Sequence, residues 1–152
     1  MILKASDYPL GYPVYSYVTD DGENVHIDSP RLREWVLLQD IEVVLVPVEE
    51  KIAMLFVEQN AVSLPHIITL IKKRTFKEPI IFGKWEEGPV EKICSMLIDG
   101  HHRYVLHAIG KAPWIKAHIL ERSQWEPFQI EGFDDLTQDQ LKQLPILPRG
   151  DR

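Results

Sequence analysis

The sequence holds a single cysteine, Cys94. One thiol excludes an internal disulfide framework and a cysteine-based zinc site, and it fits a reducing compartment. No apolar run approaches the ~18–20 residues that cross a bilayer. The opening MILKASDYPLGYP lacks the charged-then-apolar layout of a secretory signal. Cations are in the minority, 17 Lys and Arg against 23 Asp and Glu, for a formal net charge of −6. The surface as a whole therefore does not advertise nucleic acid, although a local basic patch still can. Internal repeats and low-complexity tracts are also missing. These absences point to a cytoplasmic protein. What is present is ordinary globular material: 152 residues, 45% hydrophobic and 26% charged, enough for one domain with a real core.

The chain changes character along its length. Residues 1–30 carry five prolines and glycines and four tyrosines, with a turn signal at Asp20-Asp21-Gly22. They read as an irregular arm with a hairpin of YPVYSYV and NVHI. Ser29 is the expected N-cap of a helix with Pro30 in its first turn, and Leu32, Trp35 and Val36 recur at helical spacing. IEVVLVPV, residues 41–48, reads as a buried strand ended by Pro47. EEKIAMLFVEQN reads as helix. Ser63 and Pro65 open another, with Ile67, Ile68 and Ile71 on its apolar face. PIIFGKW and KICSMLID are strands. HHRYVLHAIG is a helix with Gly110 as its C′ stop, and WIKAHIL is a further strand. From residue 121 the chain turns acidic and proline-containing; Thr137 is a candidate cap for a last short helix before a frayed PILPRGDR. Strands and helices in this order predict a mixed α/β layout, one sheet with helices packed on it.

The chemistry concentrates in LIDGHHRYVLHAIG, residues 97–110. A strand delivers the chain to its carboxyl end, where ligands of α/β sheets commonly sit. Gly100 permits a sharp turn or a close approach. The following residues open a helix whose free N–H groups attract an anion. Arg103 can grip phosphate oxygens bidentately, and His101 and His102 can donate hydrogen bonds or move a proton. Asp99 would repel a phosphate unless it carries a metal ion or a catalytic proton. The same letters also fit a plain helix start, with Asp99 as N-cap, Arg103 solvated and the histidines on the surface. A zinc site from His101, His102, His107 and His118 is disfavoured by spacing, since adjacent histidines diverge on a helix.

LIDGHHRYVLHAIGKAPWIKAHIL resembles the signature of the ParB/sulfiredoxin-like superfamily: a strand, an Asp/Gly-Gly-x-His-Arg type box, a helix with a leucine-glycine-like stop, and a strand. Upstream, VVLVPVEE resembles the early strand and Pro-x-Glu segment. SLPHIITLIKKRTFKEPIIFGKW resembles the helix and strand that precede the box. The resemblance spans residues 41–120. It implies a ParB/sulfiredoxin-like α/β core there, with residues 1–40 as an arm packing on it and 121–152 as an acidic extension. It further implies a nucleotide (ATP, ADP or CTP, with Mg²⁺ on Asp99) whose phosphates are held by Gly100, His101, His102 and Arg103.

Within the superfamily, the sulfiredoxin branch places a cysteine where this chain has His101, so that chemistry is not expected and Cys94 reads as a core thiol. Partition proteins carry a Gly-Glu-Arg-Arg box and a helix-turn-helix domain after it. The Asp-Gly-His-x-Arg form is closest to the free-serine-kinase-like members. They carry a glutamate shortly after the first strand, a place matched by Glu49 or Glu50; Val48 stands where they have a histidine. The resemblance thus implies Glu49 as base toward an acceptor hydroxyl, Asp99 orienting metal or acceptor, and His101 or His102 stabilising the transferred phosphoryl. Independently of the family, Glu49 and Glu50 also suit the first turn of a helix. Two other readings stay open. Lys72, Lys73, Arg74 and Lys77 could track a nucleic-acid backbone or merely satisfy a helix C-terminus. Tyr8, Tyr12, Tyr15, Tyr17, Trp125, Phe128 and Phe133 could dock a partner or a second copy of the chain, or fold back to complete a small core.

Overall fold

The computed structural model describes residues 2–8, 12, 14–18, 24–58, 62–74, 77–85, 95–132 and 146–147. The fold is a mixed α/β arrangement built on one four-stranded sheet. Its strands are β4 (Val44–Pro47), β5 (Ile80–Lys84), β6 (Ser95–Asp99) and β7 (Trp114–Leu120), in the order β4-β7-β5-β6. β7 runs antiparallel to β4 and parallel to β5, and β5 runs antiparallel to β6.

Alternation along the strands loads both faces. Ile80, Leu97, Ile115 and Ala117 enter one apolar cluster with Ala53, Ile67, Tyr104 and Val105. These last come from α2 (Glu50–Glu58), α3 (Leu64–Lys73) and α4 (His101–Ile109). Ile81, Met96, Ile98 and Leu120 point the other way, into a cluster with Tyr15, Val25, Ile27, Leu32, Val36 and Trp125. That second layer is made by α1 (Ser29–Leu38), the short helix α5 (Arg122–Trp125) and the hairpin of β2 (Val14–Val18) and β3 (Asn24–Ile27). Period-two alternation on a sheet covered on both sides yields three layers.

The single expected sheet is accompanied by two small ones. β2 pairs antiparallel with β3 and parallel with β9 (Ile146–Leu147); β1 (Leu3–Lys4) pairs parallel with β8 (Ile130–Glu131). The tail expected to fray therefore contributes a strand at 146–147. Among the described residues, the aromatics of both ends turn inward. Trp125 is fully buried, with its Nε1 donating to the Lys84 carbonyl at 2.8 Å. Its indole lies so close to Gly83 that a Cβ there would stand 2.9 Å from it. Tyr15 is buried, Tyr17 packs on Trp85, and Phe128 on Trp35. Tyr8 and Tyr12 both donate to the buried Asp28 carboxylate, at 2.5 and 2.6 Å. The expected Thr137 helix, Cys94, Phe133 and the Asp20–Gly22 turn lie outside the described residues.

Several local expectations are corrected. The cap of α1 is Asp28, which accepts from the Arg31 N–H at 3.1 Å, so Ser29 and Pro30 are already helical. An aspartate oxygen satisfies that orphan amide as well as serine does, and the cap position shifts by one residue. The segment 41–48 is an edge strand confined to Val44–Pro47, with alternate residues outward and Leu45 62% exposed. On α3 only Ile67 is buried; Ile68 and Ile71 face outward. Gly110 is the C-cap of α4 with φ −77°, so the C′ position falls to Lys111, at φ 56°. Lys111 and Ala112 donate back to the carbonyls of Ala108 and His107, which closes the helix in a Schellman arrangement.

Candidate functional site

The box lies at the junction of β6 and α4. Asp99 ends the strand, Gly100 is the N-cap residue, and His101 begins the helix. Gly100 has φ 111°, a conformation that side chains rarely adopt. A Cβ there would also collide with the Ile80 side chain and stand 3.2 Å from Arg103 Nη2. Glycine is required here for two reasons, the turn itself and the close approach of β5 and the arginine. Gly100 has no side chain to cap the helix, and Asp99 is not the cap either. Its carboxylate instead accepts from Arg103 Nη2 at 2.6 Å.

Arg103 is neither solvated nor held open. Its side chain is 6% exposed, and its Nη1 lies 3.4 Å from Glu78 Oε2. That same oxygen accepts from Arg33 Nη2 at 2.8 Å. Four charges alternate across α1, the turn before β5, the end of β6 and the first turn of α4. Burial makes such pairing necessary, because an arginine removed from water without partners is costly.

The two box histidines diverge, as neighbours on a helix must. His101 lies among aromatic rings, with Phe56 edge-on at 4.8 Å and Tyr15 at 5.7 Å. His102 accepts the Ser63 N–H on Nε2 at 3.0 Å and stacks on His66 at 3.9 Å. Its neutral ring therefore carries the proton on Nδ1. Through this bond His102 caps α3, whose own Ser63 side chain makes no cap contact. Further along, His107 Nδ1 is 2.7 Å from the Arg103 carbonyl, and His118 places a buried Nδ1 in β7.

Glu49 is brought to the same helix. Its N–H donates to the Tyr104 hydroxyl at 2.7 Å, and its carbonyl accepts the amides of Ile52 and Ala53 in α2. Its side chain is exposed. Burial, reinforced by repulsion from the Glu49 carboxylate, pushes the Tyr104 phenol up, while the amide contact pulls it down. Glu50 starts α2 and is exposed; Val48 packs against the α2–α4 side of the sheet. Lys72 and Lys73 in the last turn of α3, Arg74 at its C-cap and Lys77 beyond it are all exposed, and Lys77 directly precedes Glu78, the partner of Arg103.

Asp99, which the resemblance assigns to Mg²⁺, lies at the end of β6 and is partly exposed. Asp99 has one oxygen on Arg103, and among the described residues no three acidic, histidine or cysteine side chains gather to hold a metal. Two hollows among the described residues lie elsewhere. One is lined by Arg122, Ser123, Glu126 and Glu131, the other by Trp35, Asp40, Gln124 and Phe128.

Three participants escaped the sequence reading: Arg33, Glu78 and Tyr104. Glu78 stands before Pro79 and reads as a helix break, and nothing along the chain pairs it with Arg33, 45 residues away. Tyr104, directly after the box, offered the one legible signal, a hydroxyl-bearing ring at a core position. Compared with family models, curated proteins and solved structures, the chain matches none, so the likeness to the ParB/sulfiredoxin-like superfamily rests on its motif residues.

Proposed function

We propose that this chain binds the phosphates of a nucleotide at residues 99–103 and transfers a phosphoryl group to a small hydroxyl compound such as free serine. The observation that carries the reading is the β6–Gly100–α4 junction. A left-handed glycine, which no side chain can replace, aims the first amides of a nine-residue helix past the end of a strand. Backbone amides in that position are the usual cradle for phosphate oxygens.

Glu49 is the proposed base. It sits at the start of α2 and is tied to α4 through Tyr104, so the two helices hold it at a fixed relation to the box. Its exposed carboxylate takes the proton of an acceptor hydroxyl. The acceptor oxygen then bonds to the transferred phosphorus as the bond to the departing nucleotide oxygen breaks. Arg103 supplies positive charge and His101 a hydrogen-bond donor on the same turn. Any Mg²⁺ arrives on the nucleotide's phosphates, and Asp99 takes it on the protein side or orients the acceptor.

Titration calorimetry with ATP, ADP and CTP tests binding, and labelled phosphate transfer to serine and other small alcohols tests chemistry. Glu49→Gln is expected to abolish transfer while leaving nucleotide affinity within about threefold of the parent. Absence of binding by all three nucleotides sinks the reading.

A second reading, a DNA-associated protein, draws on one observation: Lys72, Lys73, Arg74 and Lys77 are all exposed at one end of α3. DNA affinity that falls steeply with salt, and loses slope when Lys72 and Lys73 become glutamine, would favour it.

A further inference from the structure

Glu78 stands between two guanidinium groups from separate elements. Its Oε2 takes Arg33 Nη2 from α1 at 2.8 Å and Arg103 Nη1 from α4 at 3.4 Å. One anionic oxygen shared by two arginines is the arrangement that phosphate oxygens adopt in phosphoryl sites. Here the oxygen belongs to the chain itself.

The exposures say which group can leave. The Arg103 side chain is 6% exposed and Asp99 21%, whereas Glu78 and Arg33 are each 47% exposed. Glu78 follows α3 on a bend before β5, and its carboxylate can turn into water without disturbing a strand or helix. With Glu78 in place the four charges sum to zero. With its carboxylate withdrawn, Arg33 and Arg103 face Asp99 alone, and the cluster carries one net positive charge beside the amides that open α4.

We infer that Glu78 is a built-in stand-in for a ligand phosphoryl group, and that Arg33 becomes a second phosphate-binding residue when a polyphosphate displaces it. The inference rests on the proposed nucleotide site insofar as both use Arg103, and it adds a residue and a gate to it. The occupant must be polyanionic. A tethered carboxylate competes at an effective concentration on the order of millimolar, so a monoanion at lower concentration loses to it. A diphosphate brings more charge and several oxygens, and it can engage both guanidiniums and the helix amides together. The gate thus selects di- and triphosphates against phosphate and carboxylates.

The test uses inorganic pyrophosphate as probe, titrated calorimetrically into the full chain and into Glu78→Gln, which keeps the shape and removes the charge. Pyrophosphate is expected to bind the variant on the order of tenfold more tightly, the worth of one charge-assisted contact. Adding Arg33→Ala should erase that gain. Glu78→Asp, too short to span both arginines, should show a smaller gain and serves if the glutamine variant does not melt cooperatively. Equal affinity for pyrophosphate in the parent and in a folded Glu78 variant overturns the inference. If ATP still binds the parent and loses affinity in Arg103→Ala, the nucleotide reading survives that result. If pyrophosphate gains but no nucleotide binds better than pyrophosphate, the gate stands and the nucleotide reading falls.

Discussion

The Arg103 guanidinium meets the Asp99 carboxylate at 2.6 Å across the turn that opens α4, four residues apart in sequence. The pair fastens the end of β6 to the first turn of the helix and folds over Gly100. Removing one member of a buried pair leaves the other uncompensated, at about 3–5 kcal/mol in full burial. Asp99 keeps partial access to water, so Arg103→Ala is expected to lose about 2–4 kcal/mol in urea unfolding at neutral pH. A loss below about 0.5 kcal/mol would show the pair to be solvated, as surface pairs are.

Two glycines flank α4 and should respond oppositely. Gly100→Ala meets both a positive φ and the Ile80 side chain, and should cost about 2–4 kcal/mol. Gly110 has φ −77°, and its nearest neighbour for an added methyl is 3.5 Å away. Gly110→Ala should be neutral or gain about 0.4–1 kcal/mol by restricting the unfolded chain. Thermal melts of the two variants give the comparison directly; equal effects would contradict the assigned backbone geometry.

The phenols on Asp28 should contribute to alkaline stability. Burial first, then hydrogen bonding to the carboxylate, pushes Tyr8 and Tyr12 well above the usual tyrosine range. Above pH ~10 the unfolded chain has released these protons while the folded chain keeps them. The unfolded state then binds fewer protons, so stability is intact below pH ~10 and declines as pH rises toward the folded values. The double variant Tyr8→Phe, Tyr12→Phe should flatten the decline measured by urea unfolding from neutral to alkaline pH. The remaining slope would come from Tyr104, also raised by burial. An unchanged slope in that variant would place the effect elsewhere.

Trp125 tests whether the segment after β7 belongs to the core. The indole is fully buried between Gly83, Ile98 and Trp85 and hydrogen-bonded to Lys84. Trp125→Ala should cost about 3–5 kcal/mol, the range for large core truncations. Trp125→Phe should cost less, from a smaller ring and one unmet carbonyl. Loss under about 1 kcal/mol would mean that the extension is dispensable.

Much of the framework was readable along the chain. The apolar run in KICSMLID and the alternation in WIKAHIL marked β6 and β7, helical spacing marked α1, Ser63 and Pro65 marked the start of α3, and Gly110 marked the end of α4. With the β-branched IEVVLVPV, the helical reading of EEKIAMLFVEQN and the strand reading of PIIFGKW added, the order of elements from β4 to β7 follows. The misses share a cause. Ile68 and Ile71 carry the right periodicity yet face outward, and Leu45 sits on the open side of an edge strand. Periodicity says which residues share a face, but what covers that face depends on elements far away in sequence. The cap at Asp28 was missed because aspartate and serine offer equivalent oxygens one residue apart.

At the candidate site the division is sharper. Local chemistry set the strand, glycine and helix junction at 98–103, because a residue with positive φ at that point must be Gly100 and its surroundings are sequence neighbours. The state of Arg103 was set by packing. Arg33 and Glu78 reach it from 70 and 25 residues away, and only the stacking of α1 on one sheet face and α4 on the other brings them together. Charges find partners through space, where the chain's own order carries no record of the encounter.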